Sequence, residues 1–549
     1  MATGAYKAVS TKRTPQSEPI LGKAMVANSA GGFSFAVDDW KRLDRFLVLG
    51  AEGGTYYIGE HKLVADNAQA VARCIAIDGV RVVNRVVEIS DAGRAPKNDP
   101  ALFVLAMCAG TGNTETRKVA LDALPSVART GTHLFTFAEY VQQFRGWGRG
   151  LRNAVGAWYS AKTPKDLAYQ AVKYQQREGW THADLLRLSH PTPASEEHRA
   201  IYKWIVDGFV GEPYRDIPLV ISAVEAIKKV DNKHDAVLII TDYRLPREAI
   251  PTQWLNEPEV WEALLQDMPM MAMIRNLATM TRVGVIAPMS DGTKKVVAQL
   301  ADSERLRKSR VHPLQVLVAL KTYEQGHGER GSNTWTPVTK VVDALDGAFY
   351  AAFGNVEPTG KNFMLALDVS GSMEGGVISG MPGITPRIGS AAMSLVTSAV
   401  EDNTVTTIFS SAGTNFSGTK SGRGGWGNES GISTIDISKR QRLDDVIRKL
   451  SGLPFGGTDC ALPMIYALQN KMKIDVFAVY TDSETWAGSI HPVQALQEYR
   501  QKMGIPAKLV IVGMTSTEFS IADQNDAGML DCVGFDVATP NLISDFAKE

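Results

Sequence analysis

Five residues constrain this chain more than any others: Asp368-Val369-Ser370-Gly371-Ser372, which follow the apolar run Phe363-Met364-Leu365-Ala366-Leu367. A short, unbroken apolar run bounded by a turn predicts a buried strand. Open α/β sheets bind their ligands at the carboxyl ends of such strands. Asp368, Ser370 and Ser372 stand at alternate positions and can turn toward one point. One carboxylate and two hydroxyls suit a hard cation such as Mg²⁺, which takes oxygen ligands and keeps several waters. The same residues have a purely structural reading, in which Asp368 caps a helix and the serines fill a turn.

Two later loops add to the set. Thr458 lies in Gly456-Gly457-Thr458-Asp459, and Asp482 ends the apolar run Val476-Phe477-Ala478-Val479-Tyr480-Thr481. In this order the residues resemble the metal-ion-dependent adhesion site of a von Willebrand factor A domain. That resemblance implies Mg²⁺ held by Asp368, Ser370, Ser372, Thr458 and Asp482, some through water, with an exposed position for a partner's carboxylate. Asp459 and Glu484 are read as a helix cap and a solvated loop, not as ligands. Too few carboxylates converge for two-metal nuclease chemistry.

Longer stretches narrow the resemblance. They are Leu345-Asp346-Gly347-Ala348-Phe349-Tyr350, Val356-Glu357-Pro358-Thr359-Gly360-Lys361 and Thr481-Asp482-Ser483-Glu484-Thr485-Trp486-Ala487-Gly488 with His491-Pro492. Upstream stand Val37-Asp38-Asp39-Trp40-Lys41-Arg42-Leu43, Gly53-Gly54-Thr55-Tyr56-Tyr57, Thr132-His133-Leu134-Phe135-Thr136-Phe137 and Trp147-Gly148-Arg149-Gly150-Leu151-Arg152. Together they resemble the Ro ribonucleoprotein autoantigen family, which joins a TROVE domain to a von Willebrand A-like domain. The implied fold is multidomain, α then α/β. A ring-closed HEAT-like helical repeat domain precedes a Rossmann-like, doubly wound A domain. The implied activity is recognition of RNA without catalysis. A small noncoding Y RNA would bind a basic outer surface, and single-stranded ends of misfolded noncoding RNA would enter the hole. In bacterial members Y RNA can tether the ring to polynucleotide phosphorylase. The resemblance also implies a monomer, and a bacterial source is expected.

At 549 residues the chain is too long for one core. Its net charge of -1 leaves any RNA site as a local basic patch rather than a global property. The four cysteines, Cys74, Cys108, Cys460 and Cys532, form no C-x-x-C unit, so neither a disulfide framework nor structural zinc is expected. The start of the chain lacks an apolar core of the secretory type, and no run is long enough to span a bilayer. A reducing cytoplasm fits.

Residues 1–36 are polar and rich in Gly and Ser, which predicts a flexible segment. Residues 37–355 read as helices of moderate length, among them 115–130, 164–178 and 215–231. From 361 to 549, strands alternate with helices, as in a doubly wound sheet. Within it, Gly418 to Gly431 with Trp426 has the composition of an exposed insertion.

A helix over 164–178 would put Lys173 and Arg177 at i and i+4 on one side, a like-charge pair that an anion would relieve. On the residues alone, a solvated helix face and a loop histidine are the commoner account, but with His190 the pair matches the family's Y RNA motif, and the resemblance reverses that preference. Arg145, Arg149 and Arg152 surround Trp147, a combination suited to stacking on unpaired bases or to an ordinary helix junction. Arg305, Arg307, Lys308, Arg310 and His312 are either an RNA path or a solvated face. The competing function is a metal-dependent module that binds protein carboxylates. An enzyme is not expected, because no Walker A spacing or catalytic triad is present.

Overall fold

The computed structural model describes residues 13–50, 60–208, 216–328, 332–353, 358–375, 378, 384–416, 431–437, 441–451, 453–454, 456–515, 517–533 and 539–548. The expected insertion at Gly418 to Gly431, except Gly431 itself, and the Gly53 to Tyr57 motif lie outside these residues. The chain divides into two compact units, one of residues 1–45, 51–64 and 355–549, the other of residues 46–50 and 65–354.

The segment expected to be flexible is not a free arm over its described part. Residues 1–12 fall outside the description, but residues 13–36 pack against the C-terminal part of the chain. Strands β1 (Met25–Ala27) and β2 (Phe33–Ala36) pair antiparallel. Phe35 is buried in the core of the C-terminal unit. The polar composition misleads because its polar groups are not solvated: Gln16 is fully buried, and Asn28 and Ser34 nearly so. A little further on, the guanidinium of Arg45 makes a bidentate ion pair with Asp531, 2.7 Å to each oxygen, with both side chains buried.

After one long helix, Glu60–Asp91, the second unit is a succession of short helices, several opened by an oxygen-bearing cap. Thr130 accepts from His133 N, Thr163 from Asp166 N, Ser195 from His198 N and Asn232 from Asp235 N. Each cap satisfies one of the free N–H groups of a helix start and fixes where the turn ends. The last helices meet the first. Arg310 pairs with Asp91 at 2.9 Å, His312 Nε2 lies 3.1 Å from the Arg94 carbonyl, and Gln315 donates to the Pro96 carbonyl at 2.7 Å. The helical stack therefore closes on itself.

The three expected helices are all shorter than the sequence suggested, that of 215–231 running only over Leu219–Ile227. The 115–130 segment is broken into Thr114–Asp122 and Leu124–Val127. The 164–178 helix stops at Lys173 and gives way to a hairpin, β3 (Gln176–Arg177) and β4 (Trp180–Thr181). Its two turn residues, Glu178 and Gly179, both have positive φ, 51° and 78°. That is the backbone of a tight hairpin turn, and it overrides the helix formers around it.

The C-terminal sheet holds β5 (Asn362–Asp368), β6 (Asn403–Phe409), β7 (Ile432–Thr434), β8 (Val476–Thr481), β9 (Lys508–Gly513) and β11 (Met529–Val533). The short β10 (Phe519–Ser520) instead pairs with β2. The strand order is β11-β9-β8-β5-β6-β7, all parallel except the β6–β7 pair. Both faces of β5 and β8 are buried, which is why these strands read as unbroken apolar runs. From β5 the chain moves to β6 on one side and later to β8 on the other. The crevice at their carboxyl ends is thus a topological switch point, the usual ligand position of such sheets.

Candidate functional site

Asp368 ends β5, and the register places Leu367 beside Tyr480, one residue before Thr481 and two before Asp482. The five expected metal-site residues, Asp368, Ser370, Ser372, Thr458 and Asp482, are all buried. Asp368 Oδ1 accepts from Ser370 N at 2.8 Å, and Oδ2 accepts from Thr481 Oγ1 at 2.7 Å. The Ser370 and Ser372 hydroxyls lie 3.1 Å apart, and the Ser372 hydroxyl hydrogen-bonds Asp482. The third loop joins through Gly456, whose carbonyl accepts from Gly371 N at 3.4 Å. Thr458 Oγ1 is buried with no protein partner.

Burial and the Asp482 carboxylate push Asp368 up to about 7, and burial raises Asp482 as well. Two buried carboxylates that oppose each other's ionisation, beside an orphaned hydroxyl, fit a small hard cation that would reverse the first effect and satisfy the second. Among the described residues no three His, Cys, Asp or Glu side chains form a metal cluster. A cation here would therefore rely on hydroxyls and water for part of its shell.

The basic candidates are placed differently. Arg177 is not on the helix of Lys173. It lies on β3, is exposed, and pairs with Glu178 at 2.8 Å, so the i, i+4 argument does not hold. Lys173, half-buried at the helix end, has its Nζ 5.4 Å from the centroids of both the Tyr169 and Tyr174 rings. His190 is the exposed, left-handed C-cap of the helix His182–Ser189, which follows the hairpin directly. Arg177 and His190 thus flank opposite ends of a helix roughly 12 Å long.

Trp147 packs against Trp180, ring centroids 5.6 Å apart. This contact brings the Arg145, Arg149 and Arg152 group beside the hairpin of Arg177. Arg149 and Arg152 are exposed in the first turn of the helix Arg149–Ser160, which has neither a side-chain cap nor an acidic residue there. Arg145 is occupied structurally, donating to the Ala109 carbonyl at 2.8 Å. The third run is occupied too. Arg305 holds the Met268 carbonyl, Lys308 pairs with Glu304, and Arg310 and His312 close the helical stack.

The TROVE domain family matches residues 26–221 and 244–322, and the Ro60 vWA domain family matches residues 362–547. The chain belongs to the Ro60 family. It is 41% identical to the RNA-binding protein RO60 of Deinococcus radiodurans over 546 residues, 99% of this chain and 98% of that one. It is 36% identical to the RNA-binding protein RO60 of Caenorhabditis elegans over 613 residues, 97% of this chain and 92% of that one. The crystal structure of the Deinococcus radiodurans Ro (RSR) protein superposes with a TM-score of 0.69, covering 93% of this chain and 99% of the other.

Within this Ro-family fold several residues support the loops of the candidate metal site without having stood out in the sequence. Arg387 is buried and donates to the carbonyls of Val369 and Ser370 at 2.8 and 3.1 Å. Ser410 Oγ donates to the Gly457 carbonyl and accepts from Gly456 N, each at 2.8 Å. Glu484 and Asp459, expected to be solvated or capping, are buried. Burial and Asp482 push Glu484 up to about 8, and burial pushes Asp459 up to about 6. A stretch of small and hydroxyl residues between two strands is the only signal that could have pointed to Ser410.

Proposed function

We propose that this chain is a non-catalytic RNA-binding protein that recognises structured RNA on an exposed basic surface of its helical unit. The observation that carries the reading is the Trp147–Trp180 contact. It unites the exposed Arg149, Arg152 and Arg177 around two partly exposed aromatic rings. Lys173, at the end of the helix before the hairpin, and His190, at the end of the helix after it, are the further residues the family resemblance adds. Arginines at a helix start oppose the helix dipole, so an RNA phosphate there relieves an existing electrostatic conflict. Aromatic rings between them suit an unpaired base. The names of the full-length relatives, both RNA-binding proteins, support this class of ligand.

The finer reading follows from the family resemblance. The outer surface takes the stem of a Y RNA, and the opening of the closed helical stack takes single-stranded ends of misfolded noncoding RNA. The protein then acts as a cytoplasmic, monomeric scaffold in RNA quality control, where Y RNA can link it to polynucleotide phosphorylase. In the C-terminal unit, Asp368, Ser370, Ser372, Thr458 and Asp482 hold Mg²⁺, which when bound supplies a Lewis-acidic position for a carboxylate of a protein partner. The orphaned Thr458 hydroxyl supports this second reading, and the two functions are compatible.

The test is to purify the full chain at low salt, then extract and sequence the RNA it carries. An enriched small RNA with a stem and internal loop, absent from a Lys173→Ala/Arg177→Ala/His190→Ala variant, is expected. RNA-free protein with no affinity for structured RNA bearing a single-stranded end would leave the carboxylate-binding module as the function.

A further inference from the structure

The N-terminal segment does more than cover the sheet. Gln16 is fully buried and every polar atom of its side chain is engaged. Its Nε2 donates to Asp459 Oδ1 at 2.7 Å and to the Ile490 carbonyl at 2.9 Å, while its Oε1 accepts from Thr485 Oγ1. Its backbone N–H donates to the Gly488 carbonyl at 2.9 Å, and its carbonyl accepts from Phe33 N at 2.8 Å. Asp459 follows Thr458, and Thr485 lies three residues after Asp482. One side chain thus bridges two of the three loops that carry the metal-site residues. An amide presents a donor at one terminal atom and an acceptor at the other, which is what this position requires.

The same segment grips the Asp482 loop at further points. Asn28 Nδ2 donates to the Thr485 carbonyl at 2.7 Å, and Ala30 N donates to Glu484 Oε2 at 3.1 Å. At Gly32 a side chain would collide with Thr485 and Trp486. Between Asp482 and these contacts stands Ser483, a buried non-glycine residue at φ 68°. Left-handed backbone at such a residue persists only where its surroundings over-determine it. The N-terminal contacts on residues 484 and 485, with the Thr458 carbonyl accepting from Trp486 N and Ala487 N at 3.0 and 2.9 Å, provide that over-determination.

We infer that Gln16 is a positioning residue of the metal centre, holding the Thr458 and Asp482 loops at the separation a divalent cation requires. The inference rests on the Mg²⁺ reading above. Partners that orient metal ligands typically change affinity on the order of 10- to 100-fold when removed.

The experiment is Mg²⁺ titration by calorimetry of the full-length chain, with a urea midpoint for each metal-free variant. Wild type should bind Mg²⁺ and Asp368→Ala should not. Gln16→Ala should raise Kd by about tenfold or more while its metal-free urea transition stays cooperative. Gln16→Glu, nearly isosteric, should bind no better than Gln16→Ala, because it sets a carboxylate against Asp459 where an N–H had been. Thr485→Val removes one end of the same bridge together with the hydroxyl that accepts from Cys460 N at 3.2 Å, so its effect and that of Gln16→Ala should be only partly additive. If Gln16→Ala loses cooperative unfolding, Gln16→Glu, which leaves the Cys460 contact in place, reads the bridge. Wild-type affinity in Gln16→Glu and Thr485→Val would overturn the positioning role while leaving the metal centre intact. Wild type as unresponsive to Mg²⁺ as Asp368→Ala would overturn the metal reading, and the inference with it.

Discussion

Asp368 and Asp482 lie wholly inside the protein, whereas Arg149, Arg152 and Arg177 stand in solvent. The carboxylates are oriented before any ligand arrives: Thr481, Ser370, Ser372 and the Glu484 N–H already point at them. The arginines are far less constrained, and Arg177 is held by an exposed ion pair to its own neighbour, Glu178. A buried, hydroxyl-lined pair of acids suits a small ion of fixed geometry. An exposed set of long cations beside two indoles suits a polyanion whose sequence varies but whose phosphates and bases recur.

The largest effect that separates the two regions is loss of an entire response. Asp368→Ala should abolish Mg²⁺-dependent stabilisation measured by thermal unfolding, because stabilisation by a ligand requires a site in the folded state. RNA affinity at constant salt should remain at the wild-type value. A parallel loss of RNA binding would show that the regions are not independent.

Next comes the basic surface. The Lys173→Ala/Arg177→Ala/His190→Ala variant should weaken RNA binding by about tenfold or more and flatten the dependence of log Kd on log salt, since fewer phosphates are neutralised. Its Mg²⁺ response should be unchanged. An unaltered salt slope would remove this surface from the RNA site.

How much of this was legible follows from where the partners lie. Asp368 and Asp482 could be read because each ends a strand apolar on both faces, and the strand itself dictates where the next residues emerge. Arg177 was misplaced because Glu178-Gly179 sits among good helix formers, and a two-residue turn with positive φ at both positions overrode them. Gln16 was invisible for another reason. Its Asp459 partner lies 443 residues downstream, and a polar, glycine-rich segment reads as solvated until that partner is known. Glu484 was misread on the same ground, since charge predicts exposure and only the packed loops reveal burial, whereas Asp459, read as a helix cap, does accept from Ala461 N at 3.0 Å just before the helix Leu462–Gln469.

The regions should also respond oppositely to pH. In the helical unit, burial lowers His133, His182 and His312 to about 4, so folding favours their neutral forms. The stability they contribute is complete above the unfolded value near 6.5 and is lost as pH falls toward 4. In the metal-free C-terminal unit, Asp368, Asp459 and Glu484 are raised to about 7, 6 and 8. Folding favours their protonated forms, so stability is greatest below about 4 and is lost as pH rises toward 8. A tenfold difference in proton affinity between folded and unfolded chain corresponds to about 1.4 kcal/mol. Pulse proteolysis in urea, with fragments assigned by mass, should find the helical unit opening first at pH 5 and the metal-free C-terminal unit gaining susceptibility by pH 8. Saturating Mg²⁺ should weaken the second trend only, through Asp368, because Asp459 and Glu484 are not among the proposed ligands. The same pH order in both units would sink the contrast.

The smallest effects test the hairpin turn. Gly179 has φ 78° with open space around its Cα, so Gly179→Ala adds backbone strain and no clash, costing about 1 kcal/mol. Glu178→Asn works the other way. Asn followed by Gly is the preferred pair for this turn, and the exchange removes the carboxylate that pairs with Arg177. It should stabilise the hairpin slightly and tighten RNA binding a few-fold, because a phosphate no longer competes with Glu178 for the guanidinium. Filter binding at low salt would detect the change. Weaker binding by Glu178→Asn would mean that Glu178 orients Arg177 for the RNA instead of occupying it, and the hairpin would then be as preorganised as the acidic loops.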